Sequence, residues 1–415
     1  MKKKTNRNIV DSAGTTFSRH QALVTSQWGA QLLNYEAHLR ASKRGQITIV
    51  GGDSYRTDSD ERKRRFLCHH ECEVFSGSEH EAAESERNWN GCEKNPGHKQ
   101  FISAQNFTEN YLPRLQSDQK RGMLKNLIDL TVRLRVSCTS LHRPDDDDLA
   151  AHRGTGKLRT GTGFIYDVHD PDYNKPNLLN EGLGNETKKH WRFYVQTACH
   201  VVYNTEEAKE TKVDLFYDEN SCERDGRMKS VWGVRVINST PGIDWCSMLC
   251  ETCDEDLGKR IESAVRCRFY DDKLKPEDIF DLGLLKLQHY DEKCQPVVIV
   301  SHPHGQPKQI TVGELKTWQR SSIKHQVLIK KKGCYEYDWV DEGRVEYTTP
   351  TCPGSSGASV LVWDRDLGKF SYFLWFSPVH SGGVSKTSSS TQHNQLQKLR
   401  GHETTQQQLN YGFNI

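Results

Sequence analysis

From Thr131 onward, short apolar runs alternate with turn residues. They read TVRLRVSC, GTGFIYDV, WRFYVQTAC, KVDLFYD, VWGVRVI, FDLGLLKL, PVVIVS, QITVGELK, HQVLIKKK, ASVLVWD, FSYFLWFSPVHS and NYGFNI. Many short, evenly spaced runs rich in Val, Ile, Phe, Tyr and Trp predict an all-β sandwich or barrel. The first third of the chain is patterned differently. Leu23, Trp28, Leu32, Leu33 and Tyr35 fall on one helical face between His20 and Leu39. Leu115, Met123, Leu124, Leu127, Ile128 and Leu130 predict a second helix over 111–130, with Pro113 in its first turn, where a missing amide costs little. A third helix is expected at 254–266, inside the β-rich part. Residues 1–20 are polar and expected to be disordered, and 51–66 (GGDSYRTDSDERKRRF) has the charge of a linker.

The chain thus divides into an N-terminal helical and polar region (1–110), a connecting helix (111–130), a first β unit with an inserted helix (131–295) and a second β unit (296–415). At 415 residues there is room for these units, and 34% hydrophobic against 27% charged residues fits a chain that is only partly packed. The formal net charge of +2 gives no basic field, so nucleic acid is not the expected partner. The opening MKKKTNRNIVDSAGTT has a basic end without an apolar core behind it, and no run approaches a membrane span. Thirteen cysteines, an odd number, point to reduced thiols rather than a disulfide framework. The expectation is an intracellular protein of cytoplasm or nucleus, without a signal peptide or a membrane partner.

Three stretches carry candidate chemistry. In YVQTACHVVYN, His200 ends a strand-like run; in DIFDLGLLKLQ, Asp281 opens one; in TCPGSSGASV, two serines lie between Gly354 and Gly357. Each has a bland reading as a buried ring, a turn cap or a small polar bend. Together, in the order His, Asp, Ser on a β background, they match the constellation of a general base, its orienting carboxylate and an activated alcohol.

The sequence around each member resembles the chymotrypsin-like serine proteases: TACHVV is similar to T-A-A-H, DLGLLKL to the strand after the catalytic aspartate, and GSSGASV to G-[DN]-S-G-[GSA]-[PS]-V. The match is nearer to the intracellular, disulfide-free members such as the HtrA group, because Val201 replaces the cysteine that follows the histidine in secreted enzymes. Over residues 131–415 the resemblance implies an all-β double barrel with His200, Asp281 and Ser356 as catalytic residues. It implies an oxyanion hole from the amides of Gly354 and Ser356, and protein or peptide substrates. No cofactor is expected for the cut. Ser355 stands where secreted members carry the aspartate that pairs with a new N-terminus, so that route of activation is not expected.

SPVHSGG resembles the strand that lines the primary pocket, placing His380, Ser381, Gly382 and Gly383 there, with Thr351 facing them. A Thr and a His at these offsets resemble the glutamyl endopeptidases and picornavirus-type main proteases, which implies cleavage after Glu or Gln; the alternative is an apolar pocket. Elsewhere, CHHEC with Cys92 and His98 offers a tetrahedral zinc set of Cys68, Cys72, Cys92 and His98, the alternative being a solvated loop of reduced thiols. Cys246, Cys250, Cys253 and Cys267 read as half-buried small hydrophobes, the alternative being a four-thiolate site, SHPHG (His302, His304) as a turn, and Asp145–Asp148 as a solvated loop. Two other function classes remain: a catalytically silent barrel that binds peptides, and a zinc-finger nucleic-acid binder. Glutamates throughout 67–100 argue against the last.

Overall fold

The structure is a computed structural model and describes residues 68–108, 111, 118–169, 190–267, 295–331, 334–364, 369–370, 378–384 and 409–414. The helix expected at 20–39, the linker at 51–66 and the FDLGLLKL strand with Asp281 lie outside them. All described residues belong to one unit, Lys63–Ile415.

The first described segment holds short strands β1 (Cys68–His70), β2 (Glu73–Val74) and β3 (Ile102–Ser103) around helix α1 (Glu81–Asn90). Helix α2 (Asp118–Leu130) then runs directly into β4 (Thr131–Val136), where the helical period of the sequence gives way to strict alternation. Val132, Leu134 and Val136 are buried on one face of β4, while Arg133 and Arg135 emerge on the other and both bind Asp214. There follow β5 (Arg159–His169), β6 (Trp191–Ala198), α3 (Thr205–Lys209), β7 (Thr211–Leu215), α4 (Ser221–Arg224), β8 (Lys229–Thr240) and β9 (Trp245–Thr252). They pair in the order β5-β4-β7-β8-β9-β6, and β5 also pairs β6, which closes a six-stranded barrel. Its interior holds Leu134, Val195, Val213 and Met248, all fully buried.

The inserted helix is α5 (Glu255–Cys267). Asp254 Oδ1 accepts from Leu257 N at 3.0 Å and caps its start. Leu257, Ile261, Ala264 and Val265 are buried at helical spacing, and Gly258 lies so close to the Trp191 ring that a Cβ would fall 2.2 Å from it.

The second sheet contains β10 (Pro296–Ser301), β11 (Gln309–Lys331), β12 (Cys334–Tyr347), β13 (Val360–Asp364), β14 (Lys369–Phe370), β15 (Val379–Val384) and β16 (Leu409–Asn414), in the order β1-β15-β16-β12-β11-β10-β13-β14. Strand β12 was not expected, because CYEYDWVDEGRVEY scatters charge along a long hairpin arm. QITVGELK and HQVLIKKK, expected as two strands, are one strand, β11. Just before β13, Gly357 N donates to His380 O (2.8 Å), His380 N to Ala358 O (2.8 Å) and Val360 N to Pro378 O (2.7 Å), which joins the start of β13 to β15. Among the described residues no helix is long and apolar enough to cross a membrane.

Candidate active site

His200 lies two residues past the end of β6, in a tight turn where Val201 N and Val202 N both donate to Ala198 O at 3.1 Å. Strand β6 pairs antiparallel with β9 up to Ala198 opposite Trp245, so the residue preceding β9, Asp244, is delivered across from the histidine. His200 Nδ1 is 2.7 Å from Asp244 Oδ2, and His200 N donates to Asp244 Oδ1 at 2.9 Å. Asp244 closes the short turn Pro241–Ile243 in a left-handed conformation (φ 51°), which Asp tolerates better than bulkier side chains. Ser381 Oγ donates to the same Asp244 Oδ2.

Asp281, the carboxylate expected from the sequence, lies outside the described residues, and Asp244 stands at His200 Nδ1. The overlooked signal is GIDWCSMLC, which has the same pattern as DIFDLGLLKL: an aspartate opening an apolar strand. Its cysteines drew the thiol reading instead. Cys246 and Cys250 are in fact fully buried in the barrel core, deeper than expected, and Cys253 is exposed beside His190 Nδ1.

Burial raises the Asp244 carboxyl, but the charges and hydrogen bonds of His200, His70 and Ser381 outweigh it and hold the group well below the usual carboxylate range. Burial lowers His200 to about 4, and Asp244 only partly offsets this. The ring is therefore neutral near pH 7. Its Nδ1–H serves the ionised carboxylate, and Nε2 keeps its lone pair. A histidine held below its ordinary 6.5 binds its proton later than the unfolded chain does, so its contribution to stability should rise with pH between about 4 and 6.5 and be lost on acidification. An NMR titration of the His200 ring should show no protonation until well below 6.5; a midpoint at or above 6.5 would contradict this.

Ser356 lies in a bend that only small residues permit. Gly354 (φ 94°) lies against His302 O and His304 N, where a Cβ would fall at 2.5 and 2.8 Å; Gly357 (φ 92°) lies against Thr162 O, at 2.0 Å. Ser355 turns inward to Ser301 Oγ (3.1 Å) and Cys352 N (3.2 Å). Ser356 Oγ donates to Ser381 O and accepts from Glu71 N, both at 3.0 Å. His200 Nε2 is buried and has no hydrogen-bond partner, so ring and alcohol are not directly bonded in this arrangement.

What crosses this site is the chain itself. Strand β1 pairs antiparallel with β15, His70 opposite Gly382 and His69 opposite Gly383, and two residues past Glu71 the segment pairs with β5, Glu73 opposite Thr160. Between the two pairings, Glu71 O accepts from Gly354 N (2.6 Å) and Ser356 N (3.4 Å). The His70 ring lies flat on His200, centroids 4.0 Å apart and planes within 2°. The Glu71 carboxylate is buried, with Oε2 3.0 Å from His380 Nε2 and Oε1 on Lys94 Nζ; Lys94 also donates to Thr351 Oγ1 at 3.2 Å. Tyr347 OH, 2.6 Å from His380 Nδ1, sets the other side of that ring. Thr351 and His380 thus line one pocket. Ser381 contributes its hydroxyl to Asp244 rather than to the pocket, and Gly382 contributes backbone pairing.

One other expectation changes. Cys72 Sγ reaches Thr160 O at 3.5 Å, away from Cys92 and His98, which converge with His304 and Cys352 instead. The aspartates 145–148 are solvated as expected, since Asp145, Asp146 and Asp148 are exposed; within that loop Asp145 pairs with Arg153, Asp148 with His70 Nδ1 at 2.8 Å, and the half-buried Asp147 with Arg143. Behind the histidine turn, Glu207 is buried between Arg143 (2.7 Å) and Arg159. Arg143 Nη2 also donates to His200 O at 2.9 Å, and Arg159 Nε to Val201 O at 3.3 Å.

No family model and no curated protein sequence matches the chain. Solved structures similar to it are serine proteases. A protease from M. tuberculosis in its active form is 12% identical, with 71% of this chain and 78% of that chain covered and a TM-score of 0.31. The HtrA-type protease AlgW with a tripeptide is 13% identical, covering 71% and 58%, TM-score 0.31. The serine endoprotease of Yersinia pestis is 10% identical, covering 64% and 57%, TM-score 0.29.

Proposed function

We propose that the chain is a serine endopeptidase of chymotrypsin-like double-barrel fold that cleaves after glutamate. The bonds joining the start of β13 to β15 support a second closed barrel beside the first. The observation that carries the reading is Glu71: its carbonyl oxygen rests on the amides of Gly354 and Ser356 while its carboxylate meets His380 beside Thr351. A peptide seated this way presents its carbonyl carbon to Ser356.

In the proposed reaction Ser356 Oγ attacks that carbon as its proton passes to His200 Nε2. The carbonyl oxygen gains charge against the two amides, a kind of stabilisation worth about 3–4 kcal/mol per donor. The C–N bond breaks as His200 returns the proton to the leaving amine, and water, activated by the same ring, releases the acid from the ester. Asp244 holds the ring's tautomer and balances the imidazolium. For the first step the hydroxyl must turn from Ser381 O toward His200 Nε2. The hydroxyl's present pairing with Ser381 O and Glu71 N favours the second reading, a barrel that binds peptides without cutting them.

In both readings the cleft is filled by the chain's own Cys68–Val74 segment, so the wild type should act slowly on added peptides. Glu71→Lys places a cation against Lys94 and should empty the pocket. The experiment is fluorophosphonate labelling of Ser356 in both chains, with peptides differing only before the scissile bond. Labelling that is faster in Glu71→Lys, and cleavage after Glu well above Gln, Leu, Phe or Lys, is expected. Labelling with preference for Leu or Phe would overturn the glutamate pocket, and no labelling of either chain would leave the peptide-binding reading.

A further inference from the structure

Cys92, His98, His304 and Cys352 each present one donor atom, all within 4.8 Å of one another and all buried. They come from three places: the segment after α1, the turn Pro303–Gly305, and the loop just before Ser356. We propose that these four side chains hold a structural zinc ion.

The spacing suits that ion. The sulfurs of Cys92 and Cys352 are 3.5 Å apart, and His98 Nε2 is 3.4 Å from Cys352 Sγ. In a tetrahedral site with zinc–sulfur bonds of about 2.3 Å and zinc–nitrogen bonds of about 2.0 Å, sulfurs lie roughly 3.8 Å apart and sulfur and nitrogen roughly 3.5 Å. A disulfide needs about 2.05 Å, and both residues are free thiols.

The surroundings suit it as well. His304 Nδ1 is 2.7 Å from Glu73 Oε2, which fixes the ring, while its Nε2 is buried without a hydrogen-bond partner. A carboxylate on the far nitrogen is the usual support of a metal-bound histidine. Asn95 donates to both sulfurs, from its backbone N to Cys92 Sγ at 3.5 Å and from Nδ2 to Cys352 Sγ at 3.0 Å. The Trp89 ring covers His98 at 3.5 Å between centroids. Both histidines have left-handed backbones (φ 45° and 54°), a conformation that persists in non-glycine residues where the surroundings impose it.

Zinc binding would release the two thiol protons to solvent. It would also tie the N-terminal segment to the loop that ends in the Ser356 turn: His304 N already donates to Pro353 O, and Asn95 Nδ2 to Thr351 O at 2.8 Å. Lys94, two residues from Cys92, is thereby set against Glu71. The site does not depend on the protease reading, since a peptide-binding barrel would use the same clamp.

The test is the metal content of the full-length wild-type chain by elemental mass spectrometry, with cobalt exchange and thiol alkylation. One zinc per chain is expected. Its cobalt form should show tetrahedral d–d bands with thiolate-to-cobalt charge transfer, and Cys92 and Cys352 should resist alkylation until a chelator is added. Cys72→Ser should keep the metal, and Cys352→Ser should lose it. A metal-free wild-type chain, a Cys92–Cys352 disulfide, or loss of metal from Cys72→Ser alone would overturn the proposal. The wild-type measurements decide it even if Cys352→Ser fails to fold.

Discussion

Asp244→Asn is expected to lower kcat on a glutamyl peptide by about four orders of magnitude, while Asp281→Asn leaves it nearly unchanged. The asymmetry follows from His200 Nδ1, whose hydrogen bond is already made by Asp244 Oδ2 at 2.7 Å. An asparagine there can offer an N–H instead of a second carboxylate oxygen. That would push the ring proton to Nε2, the atom that must accept from Ser356, and the charge that balances the imidazolium would be gone. The loss should fall on kcat with little change in KM, because the substrate contacts lie on β15 and the Gly354–Ser356 turn. Steady-state rates for both variants in the Glu71→Lys background, where the cleft is open to added peptide, would check this. A large loss in Asp281→Asn with an active Asp244→Asn would reverse the assignment.

Glu207→Gln is expected to destabilise the fold by about 3–5 kcal/mol, the cost of leaving buried charge without its partner. Glu207 is fully buried and its Oε1 and Oε2 serve Arg143 and Arg159. Burial raises this carboxyl, but the hydrogen bond from Arg143 and the charges of both arginines outweigh it and hold it below its ordinary value. A depressed carboxylate contributes stability above its unfolded pKa and loses it as pH falls through the folded one. The two guanidiniums also hold the carbonyls of His200 and Val201, so the variant should lose catalytic rate along with stability. Urea midpoints for Glu207→Gln and for its solvated neighbour Glu206→Gln give the comparison. Equal midpoints for the two would show that the buried network contributes little.

The strand-rich pattern, the helix at 254–266, and the local sequences around His200 and Ser356 could all be read along the chain. Each depends on a handful of adjacent residues: alternation for β4, a cap and a helical face for α5, and small residues for the bend at Gly354–Gly357. GIDWCSMLC held the same kind of signal as DIFDLGLLKL, and it took the pairing of β6 with β9 to show Asp244 standing at His200 Nδ1. Long-range pairing also decided what no local pattern encodes. His304 sits in the expected turn, Pro303–Gly305, yet faces Cys92, His98 and Cys352, and Cys72 left the expected zinc set, because the strand pairings of β1 and β2 direct Cys68–Val74 through the cleft. Periodicity reports which face of an element is buried. Which distant groups meet there depends on sheet order and register, and in this protein those brought Asp244 to His200, Glu71 to His380 and two thiols to two imidazoles.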